Sequence, residues 1–278
     1  MKITRKSFLK VAGLGLVSTT GVVTGLGELT KAFAESKGKH ACLVEPGLCA
    51  GCLSCAIACK KTNENSGTYD YSPDLGSNVF TTVKFKNLGT EEEPNWLKTK
   101  VQCFHCAEAS CIDACAAGAI KREGDIVKID KDICIGCKNC HYACPFGVPR
   151  FDPESGVMKK CNFCSHRVSK GLPPACAEAC PTDAIFYGTK EEVLKRAEER
   201  MAIVGGKARI YGKDVLGGTA WLYLLEDEPE VYGFPNEPKR SSASMPAKWL
   251  TALLAAGGLT IVPYWLVAKE AKEKGGGK

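Results

Sequence analysis

Sixteen cysteines stand in four groups of four, and this constrains the fold more tightly than any hydrophobic pattern in the chain. The first group is Cys49, Cys52, Cys55 and Cys59, spaced C-x2-C-x2-C-x3-C. The second is Cys103, Cys106, Cys111 and Cys115, spaced C-x2-C-x4-C-x3-C. The third, Cys134, Cys137, Cys140 and Cys144, repeats the spacing of the first. The fourth is Cys161, Cys164, Cys176 and Cys180, spaced C-x2-C-x11-C-x3-C. LVEPGLCAGCLSCAIAC aligns with KIDKDICIGCKNCHYAC, and VQCFHC…SCIDACAAGAI aligns with KKCNFC…ACAEACPTDAI. The order A, B, A, B points to duplication of a unit that holds two motifs.

Disulfides, zinc and iron–sulfur clusters compete for such thiols. The chain has 17 cysteines, so a complete disulfide framework would leave one over. Structural zinc uses four ligands, but typically as two C-x2-C pairs across a longer loop. Three cysteines in a short loop can instead surround three irons of a cubane, with Gly51 or Gly136 easing the turn. The fourth follows one helical turn on, points away, and ligates the other cluster of a pair, as in the bacterial ferredoxin run that ends in proline. Pro145 and Pro181 follow Cys144 and Cys180; Lys60 and Ala116 stand at the matching places in the first two groups. Sixteen cysteines are thus expected to be iron ligands of four [4Fe–4S] clusters. Cys42 is expected to be a packed free thiol. His105 and His141 lie inside cluster loops, beside the metal rather than on it, and with Lys159, Lys160 and Arg167 are candidate hydrogen-bond donors that tune potential.

The formal charge of +6 does not indicate a nucleic-acid partner. Without residues 1–34 it falls to +2, from 32 Lys/Arg and 30 Asp/Glu. Four oxidised clusters with their thiolates would bring it to about −6. There is no G-x-G-x-x-G, no Walker loop and no nucleophile with an attendant base. Redox centres are abundant, and nothing in the sequence binds or transforms a substrate, so the chain is not expected to be an enzyme by itself.

Two segments speak to location. Residues 1–34 read as a cleavable export signal, with Ala32-Phe33-Ala34 at the cleavage site. The string TRKSFLK, Thr4 to Lys10, resembles a twin-arginine motif with Lys6 in place of the second arginine. That route carries folded proteins, so clusters built in the cytoplasm could cross intact. Trp249 to Ala268 holds twenty uncharged residues, about a bilayer's span. Its eight Leu, Ile and Val favour insertion by about 2.5–5 kcal/mol before Gly and Pro oppose it. The expected protein sits on the periplasmic face of the inner membrane, with a transmembrane helix at 248–268 and a cytoplasmic tail at 269–278.

Short strands are expected at VFTTVKFK (79–86), DIVKID (125–130) and AIFYG (184–188). Thr189-x-x-Glu192 forms a capping box before EEVLKRAEERMAIV, the best soluble helix. The expected class is α+β and loop-rich, organised by clusters more than by a large core. It comprises two ferredoxin-like modules, one nested inside the other. Residues 35–100 and 145–190 make the outer module, 101–144 the inner, and 191–247 a C-terminal extension and linker.

With four groups in this order, the chain resembles the four-cluster iron–sulfur subunits of membrane-bound molybdenum oxidoreductases and some nickel–iron hydrogenases. It looks most similar to the beta subunit of membrane-bound formate dehydrogenase. That likeness is carried by VQCFHC (101–106), CPFGVPRF (144–151), PPACAEACPT (173–182), GTKEEVL (188–194), GGTAWLYL (217–224) and YGFP (232–235). The resemblance implies a ligand partition. Cys49, Cys52 and Cys55 would share a cluster with Cys180, and Cys161, Cys164 and Cys176 would share one with Cys59. Cys103, Cys106 and Cys111 would join Cys144, and Cys134, Cys137 and Cys140 would join Cys115. It also implies two partners, a catalytic molybdenum or tungsten subunit and a membrane cytochrome b that reduces quinone. One departure keeps the nickel–iron hydrogenase alternative open. Formate dehydrogenase beta subunits generally cross on the catalytic subunit's signal, whereas this chain reads as carrying its own, as the hydrogenase subunits do.

Overall fold

The computed structural model describes residues 40–63 and 71–241, together with Trp265. The expected signal at 1–34, the tail at 269–278 and, Trp265 apart, the span at 248–268 lie outside the described residues. Among those residues no helix is long and apolar enough to cross a membrane.

The largest sheet joins the two ends of the described body. Strand β1 (Ala41–Val44) pairs in parallel with β10 (Trp221–Leu225), setting Cys42 opposite Trp221. On its other edge β1 pairs antiparallel with β8 (Ile185–Gly188), and β10 pairs antiparallel with β9 (Arg209–Tyr211). The strand order is β8-β1-β10-β9.

Side chains alternate across this sheet, as the pleat dictates. Ala41, Leu43, Leu222 and Leu224 face helix α6 (Lys190–Val204), which buries Val193 and Ala197 against them. Cys42, Val44, Trp221, Tyr223 and Leu225 face the other way, into a core shared with Phe163, Cys55 and Cys176. Both faces are covered, so β1 and β10 are buried from end to end. This core is larger than a body organised by clusters alone was expected to have. Helix α6 starts as expected. The Thr189 side chain accepts the Glu192 amide, and the Glu192 carboxylate accepts the Thr189 amide.

Three hairpins complete the strands: β2 (Thr82–Asn87) with β3 (Trp96–Val101), β4 (Ile120–Glu123) with β5 (Ile126–Ile129), and β6 (Arg150–Phe151) with β7 (Met158–Lys159). The strands expected at 125–130 and 184–188 are β5 and β8. That expected at 79–86 begins three residues later, at Thr82.

Short helices follow the cysteine loops. Helices α1 (Ser54–Thr62) and α3 (Asn139–Ala143) begin inside the A repeats, α1 carrying Cys55 and Cys59 and α3 carrying Cys140. Helices α2 (Ser110–Asp113) and α5 (Ala175–Glu178) belong to the B repeats, with α4 (Ser165–Val168) between Cys164 and Cys176. Helix α1 packs on α5, and α2 on α3. The first group is thereby brought to the fourth, and the second to the third.

Val193 is wholly buried between α6 and the sheet. Val193→Ala should cost about 2 kcal/mol by lost burial and an unfilled cavity. A thermal midpoint about 4–8 °C lower, measured with visible absorption unchanged at ambient temperature, is the expected result.

Candidate metal centres

The two A loops share one backbone course. Gly51 and Gly136 have φ of +73° and +66°, and a Cβ at either would collide, with the Phe85 ring at 2.7 Å or the Gly156 carbonyl oxygen at 2.2 Å. Leu53 and Lys138, two residues on, are both left-handed with φ of 63°. In the B loops His105 and Phe163 occupy matching places, with φ of 51° and 57°. Seven non-glycine residues among those described have positive φ, and five of them lie in cysteine loops. Strain of this kind costs about 1–3 kcal/mol per residue and persists where the surroundings enforce it. The repeats are therefore conserved within the chain as backbone shapes as well as spacings.

These shapes gather twelve of the thiols into three quartets. Cys49, Cys52, Cys55 and Cys180 line one cavity. Cys59, Cys161, Cys164 and Cys176 line another. Cys115, Cys134, Cys137 and Cys140 line a third. The remaining four also meet. Burial pushes the Cys106 thiol up, and the charges of Cys103, Cys144 and Cys111 push it further. Cys59 lies one helical turn past Cys55 and lines a different cavity. In each of these three cavities, three cysteines of one group thus stand with one of another.

The donor set fits iron–sulfur chemistry. None of the 17 cysteines is in a disulfide. Among the described residues no three His, Cys, Asp or Glu side chains converge on a point that one metal ion could fill. A zinc ion would need its sulfurs about 2.3 Å from that point. Thiols ranged around a cavity suit a larger polynuclear group. Amides of Met158 and Phe163 donate to Cys134 Sγ and Cys161 Sγ at 3.3 and 3.4 Å. Asn63 Nδ2 reaches Cys59 Sγ at 3.6 Å and Cys164 Sγ at 3.9 Å. Such donors favour thiolates and raise reduction potential. Trp221 lines the cavity of Cys59, Cys161, Cys164 and Cys176, and its buried indole N–H has no partner among the described residues. An orphaned buried donor costs about 1–3 kcal/mol, and inorganic sulfide in that cavity would satisfy it.

The histidines lie beside the sulfurs. His105 is buried, and its Nδ1 accepts the Val127 amide at 3.0 Å, so its proton belongs on Nε2. Burial, with Lys160 and Arg122 nearby, holds it neutral. His141 Nδ1 lies 2.8 Å from the Pro149 carbonyl oxygen and 2.9 Å from Arg150. The basic side chains expected to reach sulfur are occupied elsewhere. Lys159 pairs with Asp152 at 2.6 Å and Arg167 with Glu178 at 2.6 Å. Lys160 Nζ donates to the carbonyls of Val127 and Cys161. The lysine that lines two of the cavities is Lys100, which sequence reading missed. Cys42 is fully buried in β1 as a free thiol, its pKa raised first by burial.

Residues 94–190 match the 4Fe-4S dicluster domain family. Fold and thiols together define a ferredoxin-type iron–sulfur protein. The chain is 37% identical to the nitrate-inducible formate dehydrogenase iron-sulfur subunit of Escherichia coli, over 80% of this chain and 82% of that one. It is 37% identical to the formate dehydrogenase iron-sulfur subunit of Haemophilus influenzae, over 74% and 71%. It is 30% identical to the hydrogenase-2 operon protein HybA of Escherichia coli, over 82% and 76%. The chain belongs to the family of iron–sulfur electron-transfer subunits that contains these proteins.

Burial raises Cys55, Cys111, Cys140 and Cys161 from 9.0 to about 12. A metal takes the thiolate, so each ligation releases a proton. Below about pH 12 acidification therefore opposes binding. Iron should pass to an external chelator more readily at about pH 6 than at about pH 8; a flat or inverted profile would count against these thiols as ligands.

Proposed function

We propose that this chain holds four [4Fe–4S] clusters and relays electrons from a separate catalytic subunit to a quinone-reducing membrane partner. The observation that supports the reading is that twelve of the sixteen cysteines line three cavities in fours, and Cys103, Cys106, Cys111 and Cys144 would make the fourth set. Each would hold one cluster, in the partition described above, and the clusters would supply one-electron transfer at graded potentials. The chain's own residues bury eight of the sixteen cysteines and aim amide donors at Cys134 and Cys161. Cys52 and Cys137 occupy the same place in the two A loops, and both are exposed. They bring two centres to the surface, as an entry and an exit require.

The catalytic partner we favour is a molybdenum or tungsten formate dehydrogenase subunit, supported by the two formate dehydrogenase relatives at 37% identity. The membrane partner would be a cytochrome b. The leader at 1–34, the span at 248–268 and the nested modules at 35–100 with 145–190 and at 101–144 belong to the same proposal. They would set the folded body on the periplasmic face. A nickel–iron hydrogenase subunit is the second reading, favoured by the hydrogenase-2 relative and by the chain's own leader.

The metal content of the purified membrane complex tests both. About sixteen irons per chain are expected. Molybdenum or tungsten with formate:quinone activity supports the first reading, and nickel with hydrogen:quinone activity the second. One or two zinc ions and no iron would sink both.

The partition has its own test. Cys180→Ser should alter one cluster in electron paramagnetic resonance, that of Cys49, Cys52 and Cys55, and leave the Cys176 cluster intact. Damage to the Cys176 cluster instead would show the partition to be wrong.

A further inference from the structure

Lys100 lies on β3 and is 2% exposed. Lysine is almost never buried this fully without a partner of opposite charge. Its Nζ donates to Gln102 Oε1 at 2.6 Å and lies 4.1 Å from the centre of the Trp221 ring. Gln102 Nε2 donates to Tyr223 Oη at 2.6 Å, and the Tyr223 hydroxyl donates to the Lys100 carbonyl oxygen at 2.9 Å. This closed ring of contacts fixes the ammonium and supplies no negative charge.

The negative charge comes from sulfur. Lys100 lines the cavity of Cys49, Cys52, Cys55 and Cys180 and also that of Cys59, Cys161, Cys164 and Cys176. Burial disfavours its charge, and Cys176, Cys55, Cys161 and Cys59 would favour it as thiolates, the form they take on binding metal. Those four cysteines come from both cavities.

We propose that Lys100 is a fixed positive charge shared by the two outer cluster sites, where it raises the reduction potential of both; the inference rests on the four-cluster reading. Reduction adds one electron and so one negative charge to a site that is already anionic. A cation held beside it in a poorly screened interior stabilises the reduced form more than the oxidised form. Lys100 itself accepts no electron and exchanges no proton. Because it borders both cavities, it moves two potentials together and keeps electron transfer between them near balance. The quartet of Cys103, Cys106, Cys111 and Cys144 has a different lysine nearby: Lys160 acts on Cys111 and Cys144. Lys100 does not line the cavity of Cys115, Cys134, Cys137 and Cys140, so a change at residue 100 should act first on the outer pair.

The experiment is a redox titration of the holoprotein, followed by electron paramagnetic resonance, in wild type, Lys100→Met and Lys100→Arg. Lys100→Met should lower two midpoint potentials, each by about 59 mV or more, which is a tenfold change in a one-electron equilibrium. The other two should hold, and Lys100→Arg should stay near wild type. Full iron content with no potential moved, or with all four moved alike, overturns the proposal. If Lys100→Met does not load iron, Lys100→Gln removes the charge, keeps a donor for Gln102, and is read in the same way. If neither neutral variant loads iron while Lys100→Arg does, the charge serves folding and the proposal falls. Fewer than about sixteen irons in the wild-type protein would instead fault the four-cluster reading.

Discussion

Each sulfur quartet needs three thiols from one loop and a fourth from elsewhere, and the rest of the structure follows from that requirement. A loop of C-x2-C-x2-C can surround only part of a cavity. The next cysteine of its group, one helical turn on, lies against a neighbouring cavity. Every quartet is therefore completed by another part of the chain. Cys180 closes the loop of Cys49, and Cys59 closes that of Cys161. The contacts of α1 with α5 and of α2 with α3 are the packing expression of the same exchange. Shared cavities tie the repeats together alongside the apolar core that joins Cys55, Phe104, Phe163 and Cys176.

Once metal is bound, that arrangement would put thiolates close together in a dry interior. Burial pushes many of these thiols well above their ordinary range, and neighbouring sulfurs add to the effect. The structure answers with fixed donors and cations. Amides of Met158 and Phe163 point at sulfur, and Asn63 spans two thiols of one quartet. Lys100 and Lys160 are both buried, and each stands near a different set of cysteines. The four-stranded sheet gives this region a rigid wall. Trp221 and Tyr223 project from β10 into it, one under the Lys100 ammonium and the other bonded to the Lys100 carbonyl oxygen.

Much of the site was legible in the sequence because its chemistry depends on spacing along the chain. The cysteine groups, the left-handed glycines at 51 and 136 and the capping box at Thr189 are local features, and they stand where the residues place them. The largest sheet was not legible. Strands β1 and β10 are buried on both faces, so WLYLL carries no polar alternation to mark it as a strand. The parallel pairing of residues 41–44 with 221–225 has no local signal at all. Lys100 escaped for a related reason. It follows Lys98 and Thr99 in a hairpin strand, and only tertiary packing turns it inward. Lys159, Lys160 and Arg167 drew attention by lying next to cysteines, yet their bonds go to carboxylates and carbonyls.

The parallel pairing of β1 with β10 also bears on the order in which the protein can be built. The cysteines between 103 and 144 would complete two quartets within one short stretch, with little loop to close. Strand β1 leaves the ribosome early, but its central partner is made about 180 residues later. Until then Leu43 and Cys42 lack the neighbour that covers them, and the wall carrying Trp221 is missing from the cavity of Cys59 and Cys161. Synthesis therefore imposes a schedule in which the middle of the chain can mature first. The flanks wait for the last strand, which makes that strand the latch of the whole body.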